Sequence, residues 1–109
     1  DLRRSMPRFS ADNWPKNRVL LDDFAAIATR EGVTPAQLSL SWLLAQGDHV
    51  VTIPGTASIA HLEENIARWD WALPDAVAQE VSALINHDTV SGHRYGEGIR
   101  KTIDTEDFA

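Results

Sequence analysis

The chain has no cysteine, so no disulfide framework holds it together and a reducing compartment suits it. No apolar run approaches the ~20 residues that a membrane-spanning helix needs, which excludes such a helix. Asp1-Leu2-Arg3-Arg4 has no apolar core after it that could be a secretory signal, so none is expected in this stretch, and a cytoplasmic location is expected. Basic side chains are few. Ten Lys and Arg against sixteen Asp and Glu give a net charge of −6 with no basic stripe, and this argues against nucleic-acid binding. No segment repeats and none is of low complexity. The first residue is not methionine, so cleavage or omission of earlier residues is expected to have made this N-terminus, and the chain is expected to be a fragment.

What remains is a 109-residue chain, 43% hydrophobic, with one globular domain as its ceiling. Its charge is uneven. Arg3, Arg4, Arg8, Lys16 and Arg18 are half of all Lys and Arg, whereas residues 19–98 carry eleven acids against three Arg. This basic head could face an anion, or be an ordinary solvated loop.

Residues 1–15 lack periodicity and hold Pro7, Ser10, Asp12, Asn13 and Pro15, so a long loop is expected there. A helix should begin near Lys16 or Asn17, with Leu20, Phe24, Ile27 and Ala28 on one face. Gly32 stops it in a left-handed C′ position, with Val33 folding back as the apolar partner of a Schellman closure. Thr34-Pro35-Ala36-Gln37 then combines a hydroxyl N-cap, a first-turn proline and a glutamine placed for a capping box. Leu38, Leu40, Trp42, Leu43, Leu44 and Ala45 cover nearly all sides of this second helix, which demands cover from other elements, and Gly47 is its natural end.

Strand-forming sequence is scarcest of all. Val50, Val51 and Ile53 make one short β-branched run without alternation, as in a strand buried on both faces. A lone strand cannot satisfy its own backbone, so this run points to a larger sheet. Ser58 can cap the next helix, with Ile59, Leu62 and Ile66 as its buried face, and the stretch from Trp69 to Pro74 breaks it. Asp75 is expected to cap a fourth helix with Val77, Val81, Leu84 and Ile85 inward, and residues 86–109 form a tail. Helix, helix, strand, helix, helix, tail suits the end of an α/β protein.

The strand-turn-helix unit carries the chemistry. A helix N-terminus offers unsatisfied N–H groups and a partial positive charge to a phosphate. Gly55 permits close approach to the backbone, and Thr56 and Ser58 add hydroxyl donors. Two turns on, the carboxylate of Glu64 and the amide of Asn65 can meet the amine and ring nitrogens of an adenine. The same pattern is also that of a plain βα turn. His49, His61, His87 and His93 have no zinc-ligand spacing, so no metal site is expected.

Three blocks together resemble one family. Thr34-Pro-Ala-Gln-Leu-Ser-Leu-Ser-Trp-Leu-Leu-Ala-Gln46, then Ile53-Pro-Gly-Thr56, then Leu62-Glu-Glu-Asn65, match in order and spacing the C-terminal third of an aldo-keto reductase. Leu2-Arg-Arg-Ser-Met-Pro-Arg-Phe9 resembles the loop after the seventh barrel strand, so the resemblance covers residues 1 to about 85. It implies a C-terminal fragment of a (β/α)8 TIM barrel in which Val50 to Ile53 is the eighth strand. It also implies NADP(H) at the C-terminal ends of the strands, with Thr56 and Ser58 on the adenosine 2′-phosphate and Glu64 and Asn65 on the adenine. Where the family often has a lysine after Gly-Thr, or an arginine three residues before Glu-Asn, this chain has Ala57 and His61. NAD(H) therefore stays open beside NADP(H), since neutral donors hold a dianion less well than a charge-assisted pair.

The implied cofactor-binding set is Gly55, Thr56, Ala57, Ser58, His61, Glu64 and Asn65. The family's catalytic Asp, Tyr, Lys and His lie on early strands, before anything matched here, so no catalytic residue is assigned to this chain. Trp42 is expected in the core. Trp69 and Trp71 are expected against the barrel floor, and Trp14 could line a substrate mouth. Residues 1–109 thus read as the C-terminal portion of one NAD(P)H-dependent barrel enzyme that reduces aldehydes or ketones. The chain would be inactive alone and prone to self-association, with a small carbonyl substrate and the missing N-terminal part as partners. The rival readings are a non-catalytic helical interaction module, perhaps a truncated gene product, and a nucleotide-binding fragment with residual affinity.

Overall fold

The computed structural model describes residues 1–103; residues 104–109 of the expected tail lie outside the described residues. The head forms two 3-10 turns, Leu2–Ser5 and Pro7–Phe9. Four helices follow: α1 (Trp14–Arg30), α2 (Pro35–Leu44), α3 (Ile59–Ile66) and α4 (Asp75–Leu84), with a single-turn α5 (Glu97–Arg100) in the tail.

Helix α1 starts earlier than the expected Lys16 or Asn17. The Ser10 carbonyl takes the N–H of Trp14 at 2.8 Å, and Pro15 falls in the first turn, where its missing N–H has no intrahelical acceptor to lose. Its end follows the Schellman pattern. Gly32 has φ +70°, its N–H reaches the Thr29 carbonyl at 3.1 Å, and the Val33 N–H reaches Ala28 at 3.0 Å. Val33 and Ala28 are both buried, which supplies the apolar contact of that closure.

Helix α2 opens on a complete capping box. Thr34 Oγ1 accepts from the Gln37 N–H at 3.2 Å, and Gln37 Oε1 accepts from the Thr34 N–H at 3.0 Å. It ends at Leu44 with Ala45 as its cap, short of the expected Gly47. Helix α4 corrects another expectation: Pro74 is the N-cap residue and makes no side-chain cap, while Asp75 is the first helical residue. The carboxylate still favours this end, since it sits beside the positive pole of the helix dipole.

The core lies among α1, α2 and α4. Phe24, Ile27, Ala28, Val33, Leu38, Val77 and Val81 are buried together, with Leu38 fully enclosed. Trp42, Trp71, Leu73, Leu84 and Ile85 pack half-buried around them. The indole N–H of Trp42 donates to Ser82 Oγ at 2.9 Å, so this side chain ties α2 to α4 by a polar bond as well as by its ring.

Three expectations fail on the other side of α2. The strand expected at about 50–53 does not form, and no strand occurs among the described residues. Val51 and Ile53 are 80% and 93% exposed, where a strand buried on both faces was expected. The physical reason is that a strand exists only by pairing, and no described segment pairs with this one as a strand. Ile59, Leu62 and Ile66 do share a stripe on α3, yet none is buried, because none of the described residues covers that face. Leu43 and Leu44 of α2 are exposed for the same reason, and so is Trp69, at 77%, whereas its neighbour Trp71 packs on the core. Among the described residues no helix is long and apolar enough to cross a membrane.

The α1–α4 contact carries an exposed two-pronged ion pair. Arg30 Nη1 and Nη2 donate to the two Glu80 oxygens at 3.0 and 2.6 Å. These bonds hold the Glu80 carboxyl below its ordinary 4.5 and raise the Arg30 guanidinium. A depressed carboxylate stabilises the fold above its unfolded pKa, and that contribution is lost as pH falls through the folded value. Denaturant midpoints of Glu80→Gln should therefore lose part of the wild type's acid sensitivity below pH 4.5 and leave neutral stability little changed, as befits a solvent-exposed pair. Parallel pH profiles of the two proteins would contradict this role.

Candidate functional site

The candidate residues sit where an irregular segment turns into α3. Thr56 Oγ1 accepts from the Ser58 N–H at 3.0 Å and donates to the Ser58 carbonyl at 3.3 Å, which folds the Thr-Ala-Ser turn onto itself. Ser58 Oγ then accepts from the His61 N–H at 3.4 Å, making Ser58 the N-cap of α3 as its sequence position predicts. One N–H of the first turn is thus satisfied from within, and those of Ile59 and Ala60 precede any intrahelical acceptor. Gly55, Thr56, Ala57 and His61 are exposed, and Ser58 is half-buried. A Cβ built on Gly55 would meet nothing within 4 Å, so the space beside it is open to a ligand.

Glu64 and Asn65 are half-buried one to two turns along the same helix. Asn65 lines a cleft of about 230 Å³ between α2 and α3, with Gln37, Leu44, Thr52, Pro54 and Trp69 among its walls. Gly55, Thr56, Ser58 and Glu64 do not line this cleft. The structure therefore gathers Thr56, Ser58 and His61 at the start of α3 and sets Asn65 apart, toward α2.

Two contributions to this region were not among those expected from the sequence. Gln37 was placed only in the capping box, yet its Nε2 also donates to the Glu64 carbonyl at 2.8 Å and so fastens α3 to the start of α2. No local signal marks that bond. Arg68 lines the cleft beside Asn65, with its guanidinium carbon 5.7 Å from the centre of the Trp71 ring. Its position three residues after Asn65 on a helical path was a usable signal. Among the described residues no three His, Cys, Asp or Glu side chains gather as a metal site.

Residues 1–86 match the sequence model of the Aldo/keto reductase family. The chain belongs to that family. Aldo-keto reductase similarity extends through almost the whole chain in individual proteins. It is 42% identical over 107 residues to the aldo-keto reductase yakc of Schizosaccharomyces pombe, whose name specifies NADP(+), covering 96% of this chain and 32% of that protein. An aldo-keto reductase of Strobilurus tenacellus is 37% identical over 108 residues, covering 99% of this chain and 32% of its own length. A probable aldo-keto reductase of Glycine max is 36% identical over 96 residues, covering 88% and 28%. The chain thus spans about a third of the length of these aldo-keto reductases. No solved structure matches it.

Proposed function

We propose that this chain is the C-terminal portion of an NAD(P)H-dependent aldo-keto reductase and holds the adenosine end of the cofactor. The reading rests on one observation above all: within a segment matched to the family, Ser58 caps the start of α3 and Thr56 closes the turn before it, beside the open side of Gly55. The donor set fits the group. Helix N–H groups and the Ser58 hydroxyl suit a phosphate, with the Thr56 hydroxyl able to join them by leaving the Ser58 carbonyl, and the amide of Asn65 suits an adenine edge. When bound, a reduced nicotinamide supplies the hydride for a carbonyl carbon. The residues of this chain bind and orient; the acid that protonates the nascent alkoxide is assigned to the earlier two thirds of the barrel.

The uncovered residues support the same reading. Val51, Ile53, Ile59 and Ile66 are the surface that a strand in a closed barrel and its outer helix would bury, and the relatives are about three times as long as this chain. The N-terminal part of the barrel is therefore the proposed partner, and a small aldehyde or ketone the substrate class. The NADP(+) in the name of the yeast relative favours NADP(H), while Ala57 and His61 leave the 2′-phosphate without the usual cation.

Ala57→Lys in the complete enzyme should tighten NADPH binding more than NADH binding, because an ammonium beside Thr56 meets a charge that only NADPH carries. The gain is about 1.5–3 kcal/mol at best and falls with solvent access. Asn65→Ala should weaken both cofactors alike, since it removes an adenine contact that they share. Dissociation constants for both cofactors with both variants decide the matter. An equal effect of Ala57→Lys on NADH and NADPH puts the 2′-phosphate elsewhere and ends the assignment.

A further inference from the structure

Asn17 is one of the few buried polar side chains, and its hydrogen bonds leave its own helix. Its Nδ2 donates to the Arg8 carbonyl at 3.0 Å and to the Ser91 carbonyl at 2.8 Å, and its Oδ1 accepts from the Ser91 N–H at 2.8 Å. One amide in the first turns of α1 thus joins the head to a segment 74 residues away. A neighbouring contact repeats the tie. Arg8 Nε donates to the Gly92 carbonyl at 3.2 Å, while within the head Asn13 Nδ2 donates to the Pro7 carbonyl at 3.0 Å. Gly92 has φ +85°, and a Cβ there would stand 2.6 Å from Asn13 Nδ2 and 3.1 Å from the Pro7 carbonyl, so only glycine lets the two chains lie this close. Further along, a Cβ on Gly96 would be 3.8 Å from the Ser5 carbonyl oxygen.

We propose that Asn17 is a positioning residue that latches the segment 91–96 across the arginine-bearing head and so fixes one wall of the substrate entrance. The inference rests on the barrel reading above. In a (β/α)8 barrel the segments leading from a strand into the next helix lie together at the end where catalysis occurs. The head leads into α1 and residues 50–58 lead into α3, so the two share that end. A tail pinned to the head is carried to the same end. Phe9 and Trp14, whose ring centres are 5.4 Å apart, flank the latch, and Arg8, Phe9 and Trp14 line one small apolar cleft with Asn17. The side chains that the latch sets in place are therefore one cation and two aromatic rings, a set that sorts carbonyl compounds by size and by the shape of their apolar part. The hydrogen bonds of Asn17 go to Arg8 and Ser91 and not to the cofactor residues at 55–65.

The test uses the complete enzyme with butanal as a small substrate and acetophenone as a bulky one. Asn17→Ala should lower kcat/KM for acetophenone about tenfold more than for butanal, through KM, and leave the NADPH dissociation constant within about twofold of wild type. Should alanine impair folding, Asn17→Asp keeps the volume and the bond from the Ser91 N–H but turns a carboxylate oxygen on two carbonyls, and Gly92→Ala forces the chains apart from the other side. Both should show the same preferential loss. Equal losses on the two substrates, as from a smaller folded fraction, would overturn the latch, and so would a change confined to NADPH affinity. Wild-type enzyme that neither binds NADPH nor reduces either substrate would fail differently, by overturning the functional reading itself.

Discussion

Leu38→Ala is expected to lower stability by about 2–5 kcal/mol, read as a fall in the denaturant midpoint at unchanged m-value. Leu38 is the largest fully buried side chain among the described residues, at the centre of a cluster built by Phe24, Ile27, Ala28, Val77 and Val81. Truncation removes transfer free energy and leaves a void. The neighbours are poorly placed to close it, because α1 and α2 are fixed to one another by the Gly32 closure and the Thr34 capping box within a few residues. A loss below about 1 kcal/mol would mean that the helices slide together, and would remove Leu38 from the centre of the core.

A larger effect is expected from isolating the chain. Val51, Ile53, Ile59, Leu62, Ile66 and Trp69 are all exposed, and Leu44, Ile66 and Trp69 meet around one cleft, so the apolar surface is continuous there. Surfaces of that kind in soluble proteins are normally covered. On its own the chain should self-associate or melt without cooperativity, and it should show no NADPH-dependent carbonyl reduction. Light scattering, calorimetry and a turnover assay on the purified chain check all three. A monodisperse monomer with a sharp melt would show that the apolar face needs no partner, and turnover that scales with this chain would mean that a residue here is catalytic.

The readable parts of this sequence were those whose partners lie within a few residues. The Schellman closure at Gly32, the capping box at Thr34 and the Ser58 cap each involve bonds spanning five residues or fewer, so residue type and spacing specify them. The inward face of α4 was legible for the same reason, as Val77 and Val81 repeat at four. Burial was not. Periodicity marks the stripe of Ile59, Leu62 and Ile66 correctly, but whether a stripe is covered depends on chain that lies elsewhere. Val51 and Ile53 have the composition of a buried strand and the surroundings of a loop. In the candidate site, the turn at Thr56 and Ser58 followed from local chemistry, whereas the separation of Asn65 toward α2 did not, since it depends on how α3 leans. Asn17 escaped notice because its partner Ser91 is 74 residues distant and because an asparagine in an early helical turn ordinarily signals nothing beyond solvation.

The lean of α3 is shared with the start of α2 through one side chain. None of the α3 side chains is fully buried, but the bond from Gln37 Nε2 to the Glu64 carbonyl ties α3 to α2, and the same Gln37 side chain uses its oxygen to close the start of α2. A directional bond fixes angle as well as distance, which greasy contact does not. The two atoms of one planar amide cannot be aimed independently. Any rotation of that amide that re-aims α3 also disturbs the bond from the Thr34 N–H, one half of the capping box, so the pose of the helix carrying Ser58, Glu64 and Asn65 is wired to a residue that belongs to the preceding helix.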